Sequence, residues 1–320
     1  MTTTIGEISG DDNLLLENSS SSASVIASNS DLLIQILLRL PVKSLLAFKS
    51  VSKQWLSLIS NSYFVHNHCL QYCPSIPGFF LSKSFHFINP EFEFIFVDGN
   101  VFGSGPSPGS IPFKTLNSPA GINIKQSCNG LLFCSSVVEW VTDNSYTRIS
   151  TYYVYNPSTM HYKILPPSPF RKHQSDFGCY VSLAFDPLKS PHYEVICIWS
   201  KDRENHQIDI YSSKTDSWRL CGDDGLFVVN AAIDMFSGSG VFWNGSLHWI
   251  GSTGDSVYFD IDRELIRTMP MPPFPVEWDR RRRVKYFWVY KGHMHLIEMY
   301  PHMKGRFDIL RWRLITVGGM

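Results

Sequence analysis

The stretch SDLLIQILLRLPVKSLLAFKSVSKQWLSLIS, residues 30–60, carries a dense block of leucine interrupted by one proline, and it decides how the first part of the chain folds. From Leu32 to Leu40 the apolar residues recur at the spacing of one helix face. This spacing predicts a first helix, with Ser30 or Asp31 supplying the N-cap oxygen. Pro41 predicts its end, because proline lacks the backbone N–H and disfavours the α region for the preceding residue.

Two more short helices are predicted after this proline. Residues 42–51 are apolar at helical spacing, and Ser52 can cap a third helix on which Trp55, Leu58 and Ile59 share a face. Helices of about ten residues are not stable alone in water. The three helices must therefore bury their apolar faces against one another or against a partner.

The residues before the leucine block predict a disordered tail over 1–29, because NSSSSASVIASNS has too few large apolar groups to offset chain entropy. The tail shows no secretory signal pattern, and no run in the chain approaches 18 uninterrupted apolar residues. The seven cysteines are odd in number and scattered, which favours reduced thiols over a disulfide framework. We therefore expect a protein that is not secreted, located in the cytoplasm, the nucleus or both.

After a predicted linker at 71–78, the hydrophobic period changes from helical to two, which indicates strands over 79–320. A strand, a polar turn and a second strand recur, and the aromatic residues before the turns, Tyr155, Tyr211 and Phe259, are 56 and 48 residues apart. YKGHMHLIEMY followed by RFDILRWRL forms a fourth, partial copy. A period near 50 with about four strands predicts a kelch-like β-propeller whose last, partial copy leaves room for an incomplete blade at the carboxyl end. A twisted β-sandwich of two sheets is the alternative.

Composition agrees with a folded, aromatic-rich and strand-rich body, since hydrophobic residues make up 44% and charged residues 18% of the chain. Lysine plus arginine and aspartate plus glutamate both number 28. The balanced charge gives no reason to expect nucleic acid or an anionic membrane as a partner.

The leucine block resembles an F-box, specifically the plant form, in which RLPVKSLL is followed by VSKQW and LIS. The downstream segments are similar to the F-box-associated domain of plant F-box proteins; they are SCNGLLF, YYVYNPST, LAFDPLKSPHYEVICI, IDIYSSKTDSWR and NGSLHWIG. The family pattern implies an α+β multidomain chain, with a small three-helix F-box at 30–70 and an all-β domain after it.

This resemblance implies a substrate-recognition subunit of an SCF-type cullin-RING ubiquitin ligase. The F-box would dock on the S-phase-kinase-associated adaptor and through it on a cullin scaffold, while the β domain would capture an unknown target protein. The positions that match the family's apolar pattern, part facing the adaptor and part facing the bundle's own core, are Leu33, Ile36, Leu37, Leu40, Pro41, Leu45, Val51 and Trp55. One departure stands out: ASNSD at 27–31 occupies the place where the family motif begins with Leu-Pro, which removes an apolar adaptor contact.

Two other functions remain open at this point. The chain could bind a partner outside any ligase, as the missing Leu-Pro permits, or it could be a propeller oxidase with a redox metal held by His and Tyr. No nucleophile elbow, HExxH, Walker or dinucleotide motif is present, so we expect no catalytic residues and no cofactor.

Several polar and aromatic clusters allow a functional and a structural interpretation. HNHCLQYC, with His66, His68, Cys69 and Cys73, could hold zinc, but its spacing matches no standard finger, so helix-end packing is favoured. For His293 and His295 we favour two surface histidines over a metal site, and for 280–283 a solvated loop over a nuclear or acidic-target signal. Core anchors are favoured over a ligand platform for the tryptophans of the repeats, Trp218, Trp243, Trp249 and Trp288.

Overall fold

The chain divides into two compact units, Met1–Cys73 and Pro74–Met320, which are described separately below. In the computed structural model the described residues are 25–26, 28–71, 78–82, 92–96, 122–142, 145–170, 179–200, 205–222, 225–228, 240–250, 256–269, 284–290, 292–299 and 307–311. Most of the predicted tail and linker, together with Cys73 and the basic stretch 280–283, lies outside these ranges.

Over residues 30–71 the first unit contains four helices, one more than the sequence predicts. Its helices are α1 (Ser30–Leu37), α2 (Val42–Phe48), α3 (Lys53–Ser60) and α4 (Ser62–Gln71). The sequence pattern misses α4 because its two buried side chains, Phe64 and His68, are only one turn apart, while its other large apolar residues, Tyr63, Val65 and Leu70, are exposed. Two such positions do not make a recognisable apolar stripe.

The helix ends follow local side-chain chemistry. The N-cap of α1 is Asn29 rather than the predicted Ser30 or Asp31: its Oδ1 accepts hydrogen bonds from the N–H groups of Asp31 (3.0 Å) and Leu32 (3.1 Å). Ser52 caps α3 as predicted, accepting from the N–H of Trp55 at 3.1 Å. Pro41, with φ −66° and ψ 151°, separates α1 from α2, also as predicted.

The second unit begins with a hairpin of β1 (Gly78–Ser82) and β2 (Phe92–Phe96). Its other strands form four antiparallel sheets, each built from strands consecutive in the chain, which we call blades 1 to 4. Blade 1 contains β3 (Asn123–Cys128), β4 (Leu131–Thr142), β5 (Ser145–Asn156) and β6 (His161–Ile164). Blade 2 contains β7 (Cys179–Ala184), β8 (Glu194–Ser200), β9 (Asn205–Ser212), β10 (Ser217–Leu220) and β11 (Leu226–Val228).

The remaining strands belong to blades 3 and 4. Blade 3 contains β12 (Val241–Trp243), β13 (Ser246–Ile250), β14 (Ser256–Asp260) and β15 (Leu265–Thr268). Blade 4 contains β16 (Val284–Tyr290), β17 (His293–Met299) and β18 (Phe307–Arg311). Its three strands correspond to the partial fourth copy predicted from the sequence.

The arrangement is that of a propeller and not of a two-sheet sandwich. The first strands of the blades are neighbours, since β12 contacts β3, β7 and β16. Apolar cores lie between successive blades: one cluster joins residues of blades 1 and 2, and another joins residues of blades 2 and 3. In such radial packing, a blade that lies between two others has both of its faces buried, and few sheet edges remain open.

The predicted repeat is visible in three dimensions. Tyr155, Tyr211 and Phe259 occupy the same place on the third strand of blades 1 to 3, and each is fully buried. Their partners on the second strand are Leu132, Val195 and Leu247. The fifth residue after each aromatic lies in the following turn and has a positive φ; these residues are Met160 (58°), Asp216 (53°) and Glu264 (54°). The equal spacing confirms the repeat that the sequence predicts.

Candidate functional site

The helical unit has a small core of its own. Leu37, Leu45, Ile59 and Phe64 form one buried cluster, and Leu33 is buried as well. Phe48 and Trp55 meet edge to face at its margin, with ring centroids 5.3 Å apart. Short helices thus obtain their stability by packing against one another.

The eight residues matched to the F-box pattern separate into three groups. Leu33, Leu37 and Leu45 are buried inside the bundle and have almost no surface to offer a partner. Leu40 and Trp55 are half-buried. The remaining three are exposed at the surface; they are Ile36 (48% exposed), Pro41 and Val51 (58% exposed). In this structure the first three therefore form part of the core of the helical unit.

Other large apolar side chains of the same unit are exposed and were not among the eight matched positions. They include Leu32, Val42, Leu46 and Leu56, with Val25 and Ile26 just before α1. Leu32 and Ile36, like Val42 and Leu46, are four residues apart and so share a helix face. This i, i+4 spacing was the signal that could have found them.

The charged residues of the helical unit are mostly basic. Within 28–71, the acidic side chain is Asp31, whereas the basic ones are Arg39, Lys43, Lys49 and Lys53. Lys43 and Lys53 are exposed. A unit that exposes both apolar side chains and lysines is chemically suited to a protein partner that presents apolar side chains and carboxylates.

The corner between α1 and α2 is held by a residue from α4. The buried ring of His68 donates from Nε2 to the carbonyl oxygen of Leu40, at 2.9 Å, and lies against Phe64 with ring centroids 6.0 Å apart. The hydrogen bond satisfies a carbonyl that Pro41 leaves beyond the helix ladder. His68 is thus part of helix packing, and among the described residues no group of three or more His, Cys, Asp or Glu side chains could hold a metal ion.

Side chains tie the blades of the second unit to one another. The amide of Gln126 in blade 1 donates to the carbonyl of Leu183 in blade 2 (2.8 Å) and accepts from its N–H (2.7 Å). Ser182 Oγ accepts from the N–H of Gly240, which leads into blade 3 (2.7 Å). These bonds satisfy backbone groups where two sheets meet face to face.

Ion pairs at equivalent positions add to these ties. Lys163 on β6 binds Asp216 of blade 2 at 2.8 Å, and Arg219 on β10 binds Glu264 of blade 3 at 2.5 Å. Hydrogen bonds from Lys163 and Tyr211 lower the pKa of Asp216. Burial acts to raise the pKa of Glu264, but the Gly222 N–H and the Arg219 guanidinium together bring it below its usual value.

The tryptophans and histidines of the repeats pack within and between blades. Trp249 is buried in the core between blades 2 and 3, Trp218 Nε1 donates to the carbonyl of Pro166 (2.7 Å), and Trp243 Nε1 donates to that of Gly292 (2.9 Å). His295 is half-buried and stacks on Trp288, so it is not the surface histidine expected. These roles agree with the preference for anchors over a ligand platform.

In the part of the chain that the structure describes, no helix combines the length and apolar character needed to cross a membrane.

Two protein-family models match this chain. The F-box domain model matches residues 29–67, and the F-box associated beta propeller domain model matches residues 107–295, more than half of the chain.

Curated relatives give the same result. The F-box protein At5g07610 of Arabidopsis thaliana is 37% identical over 269 residues, covering 79% of this chain and 59% of the relative. The F-box protein At5g49610 from the same plant is 30% identical over 252 residues, covering 76% and 64%. The chain thus spans about three fifths of the length of the relatives it matches.

Among solved structures, the GH32 beta-fructofuranosidase of Bombyx mori is similar at 13% identity, over 52% of this chain and 39% of that one, with a TM-score of 0.29, which does not define a shared fold. The two family models and the plant relatives together show that the chain belongs to the F-box proteins that carry an F-box-associated β-propeller domain.

Proposed function

We propose that this protein is a substrate-recognition subunit of an SCF-type cullin-RING ubiquitin ligase. Its helical unit would dock on an S-phase-kinase-associated adaptor, and through it on a cullin scaffold. Its β unit would capture a target protein. The observation that carries the proposal is the exposed apolar surface of the helical unit within the F-box match at 29–67.

That surface is energetically suited to docking. Ile36 and Val51 remain about half exposed although the unit has little core of its own. Fully burying one such side chain contributes about 1.5–3 kcal/mol, so an adaptor groove that covers several of them gains most of what a stable complex needs. Leu33, Leu37 and Leu45 would act indirectly, because they set the positions of the helices that present the surface.

The charge of the helical unit supports the choice of partner chemistry. Exposed Lys43 and Lys53, with a single acidic residue in 28–71, favour an adaptor whose groove is bordered by carboxylates. Rim charges of opposite sign steer association and fix orientation more than they add affinity.

In this proposal the chain itself performs no chemistry. Other subunits would transfer ubiquitin, and the β unit would raise the local concentration of target lysines near the charged ubiquitin carrier. The free cysteines of the described residues support a reducing compartment, so we place the receptor in the cytoplasm, the nucleus or both.

A pull-down of the full chain with a purified plant adaptor tests the docking step. We expect wild type to be captured, and Ile36→Asp combined with Val51→Asp to lose capture, because two charges would enter an apolar interface. Leu70→Asp is the matched control: Leu70 is exposed to a similar degree (54%) on the same unit but lies outside the F-box match.

Two results would contradict the proposal. Absence of capture by wild type would reject adaptor docking, and equal loss in the Leu70 variant would show that any added charge disrupts the unit. Adding the cullin separates the ligase from the alternative of a partner outside it, because only a ligase subunit forms the ternary complex on size-exclusion chromatography.

A further inference from the structure

Cys179 and Cys197 lie side by side in blade 2. Cys179 is the first residue of β7 and stands opposite Trp199, while Cys197 in β8 stands opposite Val181. The two cysteines are thus diagonal neighbours whose side chains share one face of the sheet. Their Sγ atoms are 3.0 Å apart, and neither cysteine is in a disulfide.

The two thiols differ in their access to solvent. Cys197 is buried in the core between blades 1 and 2, whereas Cys179 lies at its margin and is only partly covered. A small reagent can therefore reach the Cys179 sulfur, and the Cys197 sulfur lies directly beside it. Cysteine oxidation begins at accessible thiols and is resolved by a neighbouring one.

A tyrosine from the adjacent blade completes the site. Tyr152, on β5, stacks on Phe133 with ring centroids 5.5 Å apart, and its side chain makes a hydrogen bond with Cys179. Burial raises the pKa of Tyr152, and the nearby sulfurs of Cys179 and Cys197 raise it further. The phenol therefore stays protonated and donates to the Cys179 sulfur, which helps to fix the position of this sulfur beside Cys197.

Other cysteines in the β unit lack these conditions. Burial raises the thiol pKa of Cys128 to about 12 and that of Cys134 to about 12. Cys221 is buried as well and donates to the carbonyl of Glu264. Buried thiols of this kind are poor nucleophiles.

We propose that Cys179 and Cys197 form an oxidation-sensitive dithiol site that closes to an intrachain disulfide on reaction with a peroxide. The Cys179 thiolate attacks the O–O bond of hydrogen peroxide, which forms a sulfenic acid and, after protonation of the leaving hydroxide, one water. The Cys197 sulfur then attacks the sulfenic sulfur, forms the S–S bond and releases the second water. The two thiols lose two protons and two electrons in total, and one peroxide is reduced to two waters.

The disulfide would change the junction between blades 1 and 2. It covalently joins the first and second strands of blade 2, and it changes the sulfur with which Tyr152 makes its hydrogen bond across the junction. This site is independent of adaptor docking, because it lies in the β unit.

Peptide mass spectrometry of the reduced full chain, exposed to hydrogen peroxide and then alkylated with N-ethylmaleimide in denaturant, tests the proposal. Tryptic cleavage after Lys189 separates the two cysteines onto different peptides. We expect these two peptides to be recovered joined, lighter by two hydrogens than the sum of the free ones, and to separate on reduction. Cys179→Ser and Cys197→Ser should each abolish the joined species, and Cys69→Ser, which changes a partly exposed cysteine of the helical unit, should leave it unchanged.

The hydrogen-bonding role of Tyr152 has its own readout. Tyr152→Phe keeps the ring stacked on Phe133 but removes the donor that positions the Cys179 sulfur, so disulfide formation at a fixed peroxide concentration and pH should slow. An unchanged rate of disulfide formation would overturn the role of Tyr152. Full alkylation of both Cys179 and Cys197 at a peroxide concentration that oxidises Cys69, or a disulfide to any other cysteine, would overturn the dithiol site, and this result is read from wild type even if a cysteine variant fails to fold.

Discussion

The helical unit and the β unit distribute their apolar side chains in opposite ways. Among the described residues, the helical unit buries five apolar side chains and exposes eleven large ones, whereas the β unit buries twenty-seven and exposes nine. A unit that exposes more than it buries gains stability by binding, and a unit with the reverse ratio is stable by itself. The difference supports the proposal that the first unit docks on a partner, and it indicates that the second unit owes its stability to its own interior.

The largest expected effect is in the core of the β unit. Phe259 is fully buried, lies opposite Leu247 and meets Phe227 edge to face. Phe259→Ala should reduce the free energy of unfolding by about 3–5 kcal/mol, because a cavity remains where the ring was. Chemical denaturation followed by tryptophan fluorescence measures this loss.

Leu265→Ala is the matched control for that measurement, because this leucine is 43% exposed in the same blade. We expect it to change stability by less than about 0.5 kcal/mol. Comparable losses in both variants would contradict the view that the β unit owes its stability to its interior.

Two neighbouring residues of α1 separate stability from docking. Leu37 is fully buried and Ile36 is 48% exposed. Leu37→Ala should reduce the free energy of unfolding by about 2–5 kcal/mol. Ile36→Ala should leave it within about 0.5 kcal/mol and instead weaken adaptor capture.

Thermal unfolding followed by circular dichroism and the adaptor pull-down, both performed on the same two variants, test this difference between stability and docking. If Ile36→Ala destabilised the helices as much as Leu37→Ala, the exposed surface would be part of the fold and not a docking surface.

A buried histidine should make the β unit sensitive to acid. Burial lowers the pKa of His248 to about 4, although backbone hydrogen bonds to Val241 and Ser246 act to raise it. Between pH 6.5 and about 4 the unfolded chain therefore binds a proton that the folded chain does not, so stability decreases as pH falls through this window. The total loss is about 3 kcal/mol at most.

His248→Phe, which preserves stacking against Tyr258, should flatten the pH dependence in this window. The carboxylates whose pKa values are lowered, such as Asp260, are present in both proteins, so the difference between the two denaturation profiles isolates the imidazole. Identical slopes from pH 6.5 to 4 would rule out this role of His248.

The smallest expected effect concerns the corner of the docking surface. His68→Ala removes the hydrogen bond to Leu40 and should reduce the stability of the helical unit by about 1–2 kcal/mol. His66→Ala, an exposed position on the same helix, is the control. Helical circular dichroism during thermal unfolding measures both, and equal melting of the two variants would show that the corner does not depend on His68.

The sequence predicted the elements that leave a periodic signal. Strand, turn and strand units were recognisable because Tyr155, Tyr211 and Phe259 recur before turns that demand positive φ. The first helix and its end were predictable because the effect of Pro41 is local: proline has no backbone N–H and disfavours the α region for the residue before it. Both depend on interactions within a few residues of one another.

Features that depend on distant residues were not predictable in this way. The choice of Asn29 as N-cap depends on which oxygen reaches two N–H groups at once, and α4 buries its residues against helices earlier in the chain. The division of the F-box positions into buried Leu37 and exposed Ile36 likewise needs the crossing angles of the bundle. A one-dimensional pattern does not contain these angles.

The repeated ion pairs between blades limit how blades of different propeller domains can be combined. An acid five residues after the aromatic of one blade meets a base eight residues after the aromatic of the blade before it, as in Asp216 with Lys163 and Glu264 with Arg219. Blade 1 has Met160 at the acid position, so it lacks the group that would receive a preceding blade's cation. A blade grafted between blades 2 and 3 would need both charges to fit, and a copy of blade 1 placed there would leave Arg219 facing a thioether. Chimeric receptors of this family should therefore be joined at points that keep each acid and base matched.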